Sequence, residues 1–377
     1  MEFRFTAEEE AFRKEVRGFI HEEFPKVRDG ESFTRKLAER GWLTMSWPKE
    51  HGGQAASHMR QLVYNEEMAY NRAPGQTMGT DRVGPTIILF GTDAQKAELL
   101  PRIVKDEIAW CQGFSEPGSG SDLASLQTRA IREGDVYVVN GQKIWTSGAQ
   151  RADYMILLAR TDPDAPKHRG ITYLLLDMKL PGITVRPLKQ MNGQQHFNEV
   201  FFEDVRVPAT AVVGEVNRGW YVSTATLDFE RSGIGRVIGG LKTYEDVVAY
   251  AKGTPARDSA GTLFDNGTIR HALADIGLSF AVGRLMSYRV AWMQSQGMIP
   301  NYEASMAKTF GTELHQRMAR VAMSTVGMPS QLLGESAPMG GNIPFTYLNA
   351  VSLTIAAGTS EVNRNIIAQR GLGMPRG

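Results

Sequence analysis

The feature that most constrains this chain is a double switch in hydrophobic periodicity. Up to about residue 108, apolar residues recur at helical spacing. Phe12, Val16 and Phe19 follow at intervals of four and three, and DAQKAELLPRIVKDEIAW repeats the habit, with breaks at Pro48, Gly52-Gly53 and Pro74-Gly75. From about 110 to 215 the texture is that of strands. YMILLAR, GITYLLLDM, ITVRPL and NEVFFEDVRV are runs rich in β-branched and aromatic residues, separated by Pro, Gly and Asp. DVYVVNGQKIW has such flanks on both sides of Asn140-Gly141, which predicts a two-residue hairpin there. From about 219 helical stripes return: Ile269, Leu273, Ile276 and Phe280 on one face, Tyr302, Met306, Phe310, Leu314 and Met318 on another. The expected architecture is α+β: an N-terminal α-helical domain (1–109), a central antiparallel β domain (110–218) and a C-terminal helix-bundle domain (219–377).

At 377 residues the chain is too long for one simple core. A net charge of +1 gives no reason to expect nucleic acid or an anionic membrane as partner. No run of about 18 apolar residues occurs, so no membrane span is expected. The N-terminal MEFRFTAEEEAFRKEVRGF is charged and helical in period, unlike a signal peptide. Cys111 is the single cysteine, which fits a reducing, cytoplasmic setting and a packed thiol. No metal site is expected.

QGFSEPGSGSDLASLQTRA opens the β segment at Gln112. Its glycines permit tight turns, and its serines offer hydroxyls and N–H groups that can bind phosphate or a polar ring. It lacks both the Gly-Lys-Ser/Thr of a phosphate loop and the dinucleotide G-x-G-x-x-G. NGQKIWTSG follows about 20 residues later, and AGTSEVNRNII lies near the C-terminus, where Thr359 or Ser360 can cap a helix.

In this order and spacing, FSEPGSGSD, NGQKIWTSG and AGTSEVNRNII resemble the acyl-CoA dehydrogenase family over nearly the whole chain. The resemblance implies a β-barrel-like central domain, a C-terminal four-helix bundle and FAD as cofactor. It implies that Phe114 and Ser115 hold the flavin pyrimidine edge, that Trp145 packs on the isoalloxazine, and that Ser147 lies near its N5. Thr359 and Glu361 match residues at the FAD pyrophosphate, and Ser121 matches a residue touching the CoA part of an acyl-CoA substrate. An electron-transfer flavoprotein is the implied electron acceptor. A homotetramer, or a 2+2 heterotetramer with a paralogous subunit, is the implied assembly. By the same resemblance TDRVGPTIILFGT lies near the acyl pocket, so Arg82 meets a polar or anionic part of the substrate, or else bonds a protein carbonyl or reaches solvent.

Three departures matter. The family's Arg-x-x-Phe-Gly turn is absent from AKGTPARDSAGTLFDNGT, and STVGMPSQLL keeps only Gly327 of a Gly pair. Both segments serve a neighbouring subunit's FAD in the family. Their loss fits either compensated divergence or a heteromer in which some FAD sites are lost. The third departure is chemical. Many members place a catalytic glutamate where Ala357 stands. A backbone N–H survives that replacement, so Ala357 can still serve the thioester oxygen but supplies no base.

Glu230 is the candidate base. Leu227, Glu230, Ile234, Val237 and Leu241 follow at 3, 4, 3, 4 spacing, which puts Glu230 on an apolar stripe where a carboxylate becomes more basic. An interior ion pair with Arg231 is the plainer alternative. Members such as the isovaleryl type carry their base in a similar LD-x-ER segment, which implies catalysis by Glu230 with Arg231 beside it. The expected activity is α,β-dehydrogenation of an acyl-CoA to the trans-2-enoyl-CoA. The alternatives are a non-catalytic subunit of a heteromer and a flavin-dependent oxidase or desulfinase.

Overall fold

The structure is a computed structural model describing residues 4–27, 30–231, 234–256 and 260–375; the side chains of Glu31 and of residues 227–231 lie outside that description. In chain order the helices α1 (Ala7–Glu23), α2 (Gly30–Glu39), α3 (His58–Tyr70), α4 (Gly84–Phe90) and α5 (Asp93–Val104) come first. Strands β1 (Trp110–Gly113), β2 (Arg129–Glu133), β3 (Val136–Lys143), β4 (Tyr154–Arg160), β5 (Ile171–Asp177), β6 (Ile183–Leu188) and β7 (Phe197–Pro208) follow. The remaining helices are α6 (Gly219–Arg231), α7 (Gly235–Ile238), α8 (Leu241–Gly253), α9 (Gly267–Ser295), α10 (Tyr302–Val326), α11 (Asn342–Leu353) and α12 (Ser360–Ile366).

Local sequence explains the helix starts. Thr6 and Glu9 close a capping box at α1, with three acidic residues in the first turn, and Thr92 with Gln95 does the same for α5. The chain packs as two compact units. Met1–Gly30, Ser57–Gly75 and Arg231–Gly377 form a helical unit; Glu31–Ala56 and Gln76–Glu230 form a unit built around the sheet.

In the helical unit, Leu62, Ile234, Val237, Ile276, Phe280, Leu314 and Met318 share one apolar cluster. Each fully buried side chain of this size contributes roughly 1.5–3 kcal/mol. The short helix α7 wedges between α9 and α10. A Cβ on Gly283 would sit 2.8 Å from Val237 Cγ1, and one on Gly311 2.9 Å from the Arg236 carbonyl, so both glycines permit close packing. A buried charge layer crosses the unit. Glu66 accepts from Arg13, Arg284 and Tyr288, and Glu67 from Arg13 and Arg17.

Two sequence expectations change here. The helix expected to run from Leu227 to Leu241 is divided into α6, α7 and α8. Of its stripe, Ile234 and Val237 are buried. On α10 the stripe holds at Leu314 and Met318, but Met306 is 39% exposed while Glu303, Ala304, Lys308 and Thr312 are buried. Packing against α12 and α11 selects a small and polar face that apolar spacing does not mark.

In the sheet unit the strand order is β1-β4-β2-β3-β7-β6, with β5 paired to β4. β4 and β5 are buried on both faces, as their continuous apolar runs suggest. Most pairs are antiparallel, but β1 runs parallel to β4. The hairpin expected at Asn140-Gly141 is absent. β3 continues through both residues along β7 with a bulge between Val139 and Gly141, and the hairpin turn lies at Gly134-Asp135 instead. The reason is tertiary. β7 pairs with β3 on both sides of Asn140, and the Asn140 carboxamide bonds Asp204 twice at 2.9 Å. Gly141 has φ +149, and a Cβ there would sit 2.7 Å from Thr128 Cα. Among the described residues, no helix is long and apolar enough to cross a membrane. None of them form a His, Cys, Asp and Glu group suited to a metal ion.

Candidate active site

The two sequence motifs of the sheet unit form one structure. β1 delivers Phe114 and Ser115; the chain then turns tightly, with Glu116 and Ser119 exchanging backbone hydrogen bonds of 2.9 and 3.0 Å. Lys143, the last residue of β3, donates from Nζ to the Phe114 carbonyl at 3.0 Å and to Glu116 Oε1 at 2.7 Å. The Glu116 carboxylate also accepts the N–H groups of Gln127 and Thr128 at 2.6 and 2.9 Å. Ile144 N–H donates to the Ser115 carbonyl at 2.9 Å. Phe114 and Ser115 are thereby fixed beside the segment that carries Trp145 and Ser147.

Both members of that ion pair are perturbed. Burial opposes charge on Glu116, but Lys143 and the two N–H groups outweigh it and hold the carboxyl below the usual range. Burial pulls the Lys143 ammonium down to about 8, against the attraction of Glu116. Burial also pushes the Cys111 thiol up to about 12, which makes it a packed, unreactive group.

Trp145 is the unusual residue of the site. It is 59% exposed and its backbone has φ +60, a region that bulky side chains avoid. Its flanks are pinned: Ile144 to Ser115, and Thr146 by exchange with Asn198 at 3.0 and 2.8 Å. The indole meets Phe197 edge-on, with centroids 6.0 Å apart. Such strain costs of order 1–3 kcal/mol and persists where the surroundings enforce it. An aromatic face held out of the core beside an exposed serine, next to a backbone edge at Phe114 and Ser115, suits a flat heteroaromatic ring such as a flavin.

Ser121 lies in an exposed bend of the same loop, whose Asp122 carboxylate pairs with Lys167. Arg82 sits in a π-helical turn, Gly79–Val83, rather than within α4, and its Nε lies 3.6 Å from Asp81 Oδ1. Thr86 joins that turn to α6. Its hydroxyl donates to the Arg82 carbonyl and lies 2.8 Å from Thr226 Oγ1, one turn before residue 230. Glu230 and Arg231 end α6; their side chains lie outside the described residues.

The helical unit holds Ala357, Thr359 and Glu361 together. Ala357 has φ +55 and Gly358 φ +82, two left-handed residues in succession. The Ala357 N–H has no hydrogen-bond partner among the described residues. Thr359 caps α12 through Val362 N–H. Glu361 is held below the usual carboxylate range by its own backbone N–H at the helix start, by Thr359, and by the positive Arg364 and Lys308. Sequence reasoning missed Lys143 and Lys308, both buried. For Lys308 the available signal was its setting among Ala304, Gly311 and Thr312, a face too small for a solvent-seeking lysine.

Comparison with known proteins agrees along the whole chain. The acyl-CoA dehydrogenase N-terminal, middle and C-terminal domain families match residues 6–107, 111–205 and 217–372. Acyl-CoA dehydrogenase IpdE1 of Mycobacterium tuberculosis is 37% identical, over 97% of this chain and 98% of its own length. Acyl-CoA dehydrogenase FadE26 of the same organism is 36% identical, over 100% and 99%. Among solved structures, the Tcur3481-Tcur3483 steroid ACAD superposes with a TM-score of 0.91 at 33% identity, covering 100% of both chains. The ChsE4-ChsE5 complex from Mycobacterium tuberculosis gives 0.89 at 36% identity, again covering 100% of both. With all three domain families in order and relatives more than a third identical from end to end, the chain belongs to the acyl-CoA dehydrogenase family of FAD-dependent oxidoreductases.

Proposed function

We propose that this chain desaturates an acyl-CoA thioester between its α and β carbons. The observation that carries the reading is Trp145, held exposed at positive φ beside Phe114, Ser115 and Ser147. Those four residues receive the flavin ring, while Thr359 and Glu361 flank its pyrophosphate. FAD held by these residues would supply the acceptor for the hydride that leaves the β-carbon. The Glu230 carboxylate takes the α-proton as the C–H electrons move into the new double bond, and Arg231 orients Glu230. The Ala357 N–H donates to the thioester oxygen as negative charge gathers there. Ser121 contacts the CoA portion, and Arg82 faces a polar part of the acyl group. An electron-transfer flavoprotein then collects the electrons.

The proposal extends to assembly and substrate. The Tcur3481-Tcur3483 and ChsE4-ChsE5 proteins are two-component complexes, and the first is named for steroids. This chain is proposed to pair with a paralogous subunit in a 2+2 tetramer and to accept a bulky ring-bearing acyl group. Leu278, Val282 and Leu285, a helical row on α9 exposed at 69%, 49% and 48%, support burial against another subunit. The missing Phe-Gly and the single Gly327 favour FAD sites shared unequally between the subunits.

Anaerobic titration of the FAD-loaded protein, alone and co-expressed with its paralogue, against a panel of acyl-CoA thioesters tests the reading. Bleaching of the flavin band with formation of the enoyl-CoA mass is the expected result. A folded, FAD-loaded complex that no acyl-CoA bleaches would leave the non-catalytic subunit as the better account.

A further inference from the structure

We infer that Lys308 and Asn363 are positioning residues that clamp the Gly358 carbonyl and thereby aim the Ala357 N–H at the substrate oxygen. The inference rests on the proposed donor role of Ala357.

Lys308 lies on α10 and is 1% exposed, yet its Nζ donates to the Gly358 carbonyl at 2.7 Å. Asn363, on α12 and also 1% exposed, donates from Nδ2 to the same oxygen at 2.8 Å and to the Thr359 carbonyl at 3.0 Å. One carbonyl thus accepts two buried donors, one of them charged. Burying an ammonium is costly, so a lysine held in this way calls for a reason beyond chain packing.

The geometry supplies one. Ala357 and Gly358 are both left-handed, and a Cβ on Gly358 would sit 3.1 Å from Asn363 Nδ2, so a side chain there would press on the clamp. Thr359 anchors the far side as the cap of α12. With the Gly358 carbonyl and Thr359 fixed on one side, and the Ala356 N–H donating to the Ser352 carbonyl at 3.0 Å on the other, the backbone is held on both sides of Ala357. The Ala357 N–H, which has no acceptor among the described residues, is left pointing in one direction. A donor fixed before reaction stabilises charge developing on oxygen without reorganising. Lys308 adds positive potential close to the same backbone, as its effect on Glu361 indicates. In a chain whose residue 357 carries no carboxylate, this turn serves oxygen rather than carbon.

The test uses the FAD-loaded enzyme, with its paralogous subunit where needed, and the variants Lys308→Met and Asn363→Asp. Asn363→Asp keeps shape but replaces the donor with an acceptor, so it decides the matter if Lys308→Met does not fold. The first readout is the infrared carbonyl frequency of a bound acyl-CoA labelled with carbon-13 at the thioester. A lowered frequency in the wild type, partly restored toward the free value in the variants, is expected. The second is flavin reduction. It should slow on the order of 10- to 100-fold with acyl-CoA affinity nearly unchanged, a smaller loss than the roughly 10²–10³ of removing an oxyanion donor outright. Folded, FAD-loaded variants that keep the full wild-type frequency shift would overturn the clamp and leave the donor reading intact. A wild type with no frequency shift would overturn the donor reading, and the clamp with it.

Discussion

Lys143 Nζ lies 2.7 Å from Glu116 Oε1, and the lysine side chain is completely buried. This pair, with the Lys143 bond to the Phe114 carbonyl, is what joins the two motifs into one surface, the one proposed to receive the flavin. Removing either partner leaves the other charge buried and uncompensated.

Lys143→Met should therefore destabilise the protein by about 3–5 kcal/mol, while Lys143→Met combined with Glu116→Gln should recover part of that loss. Denaturant unfolding of the two single variants and the double variant measures the coupling. Independent, additive losses would show that the pair is no joint.

Trp145→Ala should separate binding from stability. The indole is 59% exposed, so unfolding should change by no more than about 0.5 kcal/mol. FAD affinity should fall by the lost contact area plus about 0.5–1.5 kcal/mol for ring stacking. Reconstitution of the apoprotein, followed by FAD fluorescence, measures it; unchanged affinity would remove Trp145 from the flavin site.

Acid should weaken both units through their buried carboxylates. In Glu67 burial opposes the charge, but Arg17 and Arg13 prevail and lower the pKa below 4.5, and Glu116 is likewise below 4.5. A carboxylate with a depressed folded pKa releases its proton more readily folded than unfolded. Its stabilisation is present above 4.5 and is lost as pH falls from there through the folded value. Melting temperature followed downward from neutral pH should begin to drop in that window, and Glu67→Gln should flatten the slope.

Glu230→Gln should leave FAD and acyl-CoA bound and slow flavin reduction on the order of 10² to 10⁴. Arg231→Lys should slow it less, through loss of the guanidinium fork. Ala357→Gly keeps the N–H and suits φ +55, so it should be nearly neutral. Valine also keeps the N–H but is a poor probe, since β-branched residues are outliers at positive φ. Stopped-flow reduction of Glu230→Gln at the wild-type rate would dismiss Glu230 as the base.

The sequence by itself determined the α, β, α order, the Thr359 cap of α12, the strands β4 and β5, and the motif segments of both units. Those features depend on side-chain period and neighbouring residues, which a linear reading carries in full. Tertiary structure decided the rest. Asn140-Gly141 has the composition of a hairpin turn, but pairing with β7 on both sides makes it a bulge. A tryptophan such as Trp145 suits a core, but pinned neighbours hold it outward. Lys143 and Lys308 have the composition of surface residues, but they are buried because their acceptors arrive from 27 and 50 residues away. A lysine enters an interior only where such acceptors repay its desolvation, and no local pattern records where the chain will bring them.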